Sequence, residues 1–129
     1  MNSHDPLDAL DALVMAVRGT HNGRYILEGK VPVPCEDLLE WGRWIEEHRT
    51  ERIVRQEDIG PYWVSTVFLG LDHSWRPDDL PELFETMVFR YEGDHRSSVD
   101  DAPMLRSPTW ELALEAHAEA CVWAREQLD

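Results

Sequence analysis

Asp72, His73 and Glu85 stand where the chain otherwise reads as sheet core. The stretch WVSTVFLGLDHSW opens at Trp63, a polar loop follows, and LFETMVF runs from Leu83 to Phe89. An unpaired carboxylate buried in hydrocarbon costs several kcal/mol, so these groups either reach water or build a site. Strand side chains alternate faces. That puts Val67, Leu69, Leu71 and His73 on one face and Val64, Thr66, Phe68, Gly70 and Asp72 on the other. The first face is the more apolar and is assigned to the core. On the second strand Leu83, Glu85, Met87 and Phe89 alternate with Phe84, Thr86 and Val88, and both parities are apolar.

With Leu83, Met87 and Phe89 turned inward, Glu85 lies beside Leu71 or His73. On a C-terminal helix, Leu114, His117, Cys121, Ala124 and Leu128 recur at spacings of three and four, an inward stripe that buries His117 against the sheet. His73, Glu85 and His117 then converge. Two imidazoles and a carboxylate suit a divalent metal with positions left for water or substrate. They also suit an acid/base pair, because burial holds a carboxyl protonated and a neighbouring imidazole tunes it. The structural alternative is a hydrogen-bonded core histidine, with Glu85 facing water or pairing with an arginine such as Arg76. No HExxH, HxD pair or cysteine ligand set accompanies these residues, so the sequence specifies neither a metal nor a cofactor.

Other chemistries have less support. Ser65-Thr66 lacks the GxSxG turn that exposes a nucleophile. Gly70 stands alone, with no glycine-rich loop to cradle phosphate, and reads as a bulge or the close approach of a covering helix. Cys121, on an apolar helix face, reads as inert packing. Trp75 in the loop SWRPDDLPE is an aromatic that could anchor a partner, with Asp78 and Asp79 beside it.

Composition narrows the classes. The 129 residues carry twelve basic against twenty-six acidic side chains, a formal charge of −14. Such a chain repels nucleic-acid backbones, and direct binding to DNA or RNA is not expected. No run approaches the ~18 apolar residues of a membrane span. MNSHDPLDAL has neither a basic n-region nor an apolar h-region, so a secretory signal is not expected. Cys35 and Cys121, far apart and outside any CxxC, are expected to be reduced thiols in a cytosol.

The elements that must position these residues follow from local signals. Asp5-Pro6 opens a short amphipathic helix through Leu7, Leu10, Val14 and Val17, stopped at Gly19. Tyr25–Glu28 reads as a brief strand, and Val31-Pro32-Val33-Pro34 as extended backbone. A helix begins near Cys35 or Glu36, with Leu38, Trp41 or Gly42, and Ile45 as its stripe. Arg52 to Ile59 is a weaker, charged strand ending at the Gly60-Pro61 turn. The two long strands follow, then a polar surface loop from Glu92 to Ser107. Ser107-Pro108-Thr109 introduces a helix from Trp110 to about Gln127. The whole reads as one α+β domain over residues 1–129, a three- to four-stranded mainly antiparallel meander with helices packed on one face.

VPVP followed by DLLEW, STVFLGLDH, LFETMVF and TWELALEAH together resemble a family of small proteins encoded by bacteriophages and prophages, over roughly Tyr25 to His117. The resemblance implies an accessory protein acting inside a bacterial cytoplasm and supplies no reaction. It points to Asp72, His73, Glu85, Thr86, Trp110 and His117. The segment SWRPDDLPE departs from the glycine-rich, proline-ended turn common in that family, and the Glu92–Ser107 segment is longer. Both departures fall in loops.

Two functions are therefore expected. The first is a non-enzymatic accessory protein that binds a host or phage protein through acidic loops and a sheet edge, an edge that would also permit homodimerisation. The second is a small-molecule or metal site, hydrolytic in one version, built on Asp72, His73, Glu85 and His117.

Overall fold

The computed structural model describes residues 23–74 and 80–128. The helix expected at Asp5–Val17 and the partner-contact candidates Trp75, Asp78 and Asp79 lie outside the described residues. A two-stranded antiparallel ribbon comes first: β1 (Tyr25–Glu28) pairs with β2 (Val31–Pro34). Helix α1 (Leu38–Glu47) follows, and β3 (Ile53–Ile59), β4 (Tyr62–Phe68) and β5 (Phe84–Glu92) pair antiparallel in chain order. Strand β5 is long enough to hold two short strands in succession along its second side. β6 (His95–Ser98) pairs with Phe89–Glu92, and β7 (Leu105–Ser107) pairs with Phe84–Thr86. Helix α2 (Trp110–Glu126) closes the described chain.

The architecture is α+β, as the sequence indicates, with five strands in the main sheet rather than three or four. The extra strands come from the polar Glu92–Ser107 segment, expected to be loop. Its backbone groups find partners on β5, which outweighs its poor strand composition. Three two-residue hairpin turns each begin with a left-handed glycine: Gly29 before Lys30, Gly60 before Pro61 and Gly93 before Asp94. That glycine-first form matches the right-handed twist of the flanking strands.

Both helices are capped by their sequence. Asp37 Oδ1 accepts from the amides of Leu39 and Glu40 at 2.9 and 3.1 Å, and Thr109 Oγ1 accepts from Leu112 at 3.1 Å. Helix α1 begins two or three residues later than the sequence suggests, because Asp37 caps it instead of lying inside it. Its packed side is Trp41, Trp44 and Ile45, while Leu38 is 58% exposed. Trp44 meets Phe68 edge-on at 6.0 Å, which puts α1 on the same side of the sheet as α2. Gly70 is where α1 comes close. Its φ is +80°, a Cβ there would lie 2.7 Å from Ile45 Cδ1, and its carbonyl accepts from Trp41 Nε1 at 3.0 Å.

The buried parity of β4 is a correction, and the parity of β5, which the sequence left open, is the one carrying Phe84, Thr86 and Val88. Val64, Thr66 and Phe68 on β4 face the helices with Phe84, Thr86 and Val88 on β5, all at 2% exposure or less. Val67 and Leu69 are only partly buried, Leu71 is 40% exposed, and Val67 pairs with Glu85 on the outer face. Apolar count misled here because Thr66 carries a polar atom yet is fully buried, its hydroxyl supplied with partners by β5 and α2. Helix α2 is likewise rotated from the expected stripe. Ala113, Ala116, His117, Ala120, Cys121 and Ala124 are buried, whereas Leu114 and Leu128 are exposed. Four alanines let the helix lie close on β3, β4, β5 and β7, where bulkier side chains would hold it away.

Candidate functional site

Two apolar clusters make up the core, and a polar layer separates them. One comprises Ile59, Tyr62, Val64, Val88, Ala120, Cys121 and Ala124; the other is built on Tyr25, Leu27, Phe68, Leu83, Phe84 and Ala113. Thr66 lies between Val64 and Phe68 on its strand, Thr86 between Phe84 and Val88, and His117 between Ala113 and Ala120 on the helix. All three are at most 2% exposed. Their side chains form one hydrogen-bonded chain. Thr66 Oγ1 is 2.7 Å from Thr86 Oγ1 and 2.8 Å from His117 Nδ1, and His117 Nε2 is 2.9 Å from Glu57 Oε1. The Cys121 thiol donates to the same Glu57 oxygen at 3.6 Å, and Arg55 Nε forms an ion pair with it at 3.1 Å.

Glu57 is the residue that sequence reasoning missed. A β-bulge between Ile53 and Arg55 admits an extra residue, Val54, so Arg55 pairs with Thr66 and Glu57 with Val64. Regular pairing onward from Ile53 and Val67 would set Glu57 opposite Trp63, on the far face. Bulges re-aim side chains in this way. A signal was available at the other end of the strand: counting back from the Gly60-Pro61 turn, Ile59, Glu57 and Arg55 share one face.

The groups hold one another's protons. A carboxylate only accepts, so neutral His117 carries its proton on Nε2 and Nδ1 accepts from the Thr66 hydroxyl, which in turn accepts from Thr86. Burial pushes the His117 imidazole below its ordinary value; Glu57 pulls the other way and loses. Burial works against ionisation of Glu57, but hydrogen bonds from His117 and Cys121, with Arg55 alongside, bring its carboxyl below the usual range. Burial, then the Glu57 charge, pushes the Cys121 thiol up to about 11.

Carboxylate, imidazole and hydroxyl in line are the groups of a hydrolytic triad. Thr66 is nevertheless 0% exposed, and its hydroxyl is engaged by both Thr86 and His117, so no carbonyl can reach it. The reachable side is the other end. A cleft of about 320 Å³ runs along α2 and is lined by Arg55, Glu57, Leu114, His117, Cys121 and Arg125, among others.

Of the residues singled out in the sequence, the structure joins Thr86 and His117, through Thr66. It does not bring His73 or Glu85 to them. His73 is exposed beyond the end of β4. Glu85 sits on the outer face, the opposite parity from Thr86, where it pairs with an arginine, Arg106, at 3.2 Å; Arg76 lies outside the described residues. The expected convergence of His73, Glu85 and His117 is thus replaced by Glu57, His117 and Cys121. Asp72 organises a loop: its Oδ1 accepts from the Ser74 amide and hydroxyl at 2.8 and 2.7 Å and from the Glu82 amide at 3.0 Å. Trp110, marked by the resemblance, meets Phe84 edge-on at 6.1 Å with Lys30 over its ring, a packing role. Cys35 and Cys121 are free thiols. Among the described residues no helix is long and apolar enough to cross a membrane. Compared with protein-family models, with curated proteins and with solved structures, the chain gives no match.

Proposed function

We propose that this chain is a non-enzymatic, phage-type accessory protein of the bacterial cytoplasm that binds another protein on the outer face of its sheet. The observation that carries the reading is the composition of that face. Trp63, Val67, Met87 and Phe89 lie there only partly buried, while both described helices pack on the opposite side. Trp63 and Phe89 are paired at 5.4 Å, and the Arg96 guanidinium lies 3.7 Å over the Trp63 ring. Trp, Tyr and Arg are the side chains that most often carry interface energy. With a net charge of −14 on the chain, the complementary partner is a protein surface with an apolar centre and a basic rim. The polar layer supports a non-catalytic reading, because the Thr66 hydroxyl is sealed between Thr86 and His117. Two buried free thiols agree with a reducing compartment.

A photo-crosslinker placed at Met87, compared with one at Glu115 on the exposed side of α2, tests this in a bacterial host lysate. The expected result is a hetero-crosslink from Met87 alone, weakened by high salt and by Trp63→Ala. Equal crosslinking from both positions, none from Met87, or only a self-crosslink there would overturn the proposal.

A further inference from the structure

We propose that Glu57, His117 and Cys121 form a binding site for one zinc-class divalent cation, open to the cleft along α2. Their ligand atoms all lie within 4.8 Å of one another. Glu57 Oε1 is 2.9 Å from His117 Nε2 and 3.6 Å from Cys121 Sγ. Tetrahedral zinc with bonds of about 2.0–2.3 Å places its ligand atoms roughly 3.3–3.7 Å apart, so these two separations lie within a few tenths of an ångström of those the ion needs. His117 and Cys121 are four residues apart and share one face of α2. The bulge on β3 supplies the third ligand from the facing sheet. One thiolate, one imidazole and one carboxylate favour a borderline-soft ion over magnesium or calcium, and three protein ligands with a cleft beside them leave the fourth position free.

The outer partners of such a site are already in place. A metal-bound imidazole needs its other nitrogen to donate, and Thr66 Oγ1 stands 2.8 Å from Nδ1. In the metal-free protein Thr66 donates to Nδ1. When Nε2 takes the ion, the imidazole proton moves to Nδ1, and the Thr66 and Thr86 hydroxyls rotate to reverse the chain without moving a heavy atom. The proton released is that of the Cys121 thiol, and the ion's charge is unchanged. Arg55, which shares Oε1 of Glu57, is 59% exposed and swings into solvent.

Equilibrium dialysis of the full chain with zinc, and cobalt(II) absorption spectra, test the site. Expected are one equivalent of zinc per chain and a thiolate-to-cobalt charge-transfer band. The band should vanish in Cys121→Ser and persist in Cys35→Ser. Glu57→Gln, which keeps an accepting oxygen for His117 at a partly exposed position, should weaken zinc at least about tenfold, and Thr66→Val about 10–100-fold. Absence of stoichiometric binding, a band that survives Cys121→Ser, or undiminished affinity in folded Glu57→Gln would overturn the proposal.

Discussion

His117 is held between an anion and a hydroxyl, and each of its partners depends on it in turn. Removing the Thr66 hydroxyl leaves Nδ1 and the Thr86 hydroxyl short of a partner in a dry layer. Thr66→Val is therefore expected to cost about 1–3 kcal/mol, although valine has nearly the same shape. Urea unfolding at neutral pH measures it, and a loss below about 0.5 kcal/mol would contradict the account. Cys121 offers a second check. With its thiol pushed up to about 11, roughly one molecule in a thousand is thiolate at about pH 8, and that one is buried. Alkylation of Cys121 in the metal-free folded protein should be far slower than in the urea-unfolded chain, and equally prompt modification of both would refute its placement.

Among whole elements, close approach and capping set the cost of change. Gly70→Ala combines a left-handed φ of +80° with a Cβ 2.7 Å from Ile45 Cδ1. It should destabilise by more than about 1 kcal/mol. Adding Ile45→Val removes the contacting methyl and should return part of the loss, measurable by thermal unfolding of both variants. Asp37→Ala should cost about 1 kcal/mol by uncapping α1, read as a lower urea midpoint. The start of α2 and the β3–β4 turn were legible in the sequence because their signals are local, Thr109 and Gly60-Pro61, whereas the Asp37 cap of α1 was hidden among neighbouring acids. Strand parity was not legible. Thr66 lies inside only because Thr86 and His117, 20 and 51 residues away, satisfy its hydroxyl, and no local pattern encodes that. His117 was legible as buried, since helical spacing sets it with Cys121 and Ala124. Its true partner was hidden in β3, whose charged sequence read as a solvated strand and whose bulge is visible only once pairing is known.

Across the molecule, the polar layer ties β3, β4, β5 and α2 together, so its protonation bears on global stability. His117 binds its proton less readily folded than unfolded, so between its ordinary value of 6.5 and its lower folded value the unfolded chain holds more protons. Its contribution is complete above about pH 6.5 and falls as pH drops through that window. The lowered Glu57 carboxyl acts in the same direction, contributing above its ordinary value of 4.5 and losing that contribution on further acidification. A stability profile from neutral pH downward should therefore slope toward acid instability, and His117→Gln should flatten its upper part. An unchanged slope in the variant would assign acid sensitivity elsewhere. The most direct measurement of the central claim is the protonation state of that one ring, read by long-range proton–nitrogen NMR across an acid titration. A neutral imidazole with its proton on Nε2 is expected at neutral pH, protonating only below 6.5. A ring carrying its proton on Nδ1, or one that protonates at or above that value, would contradict it.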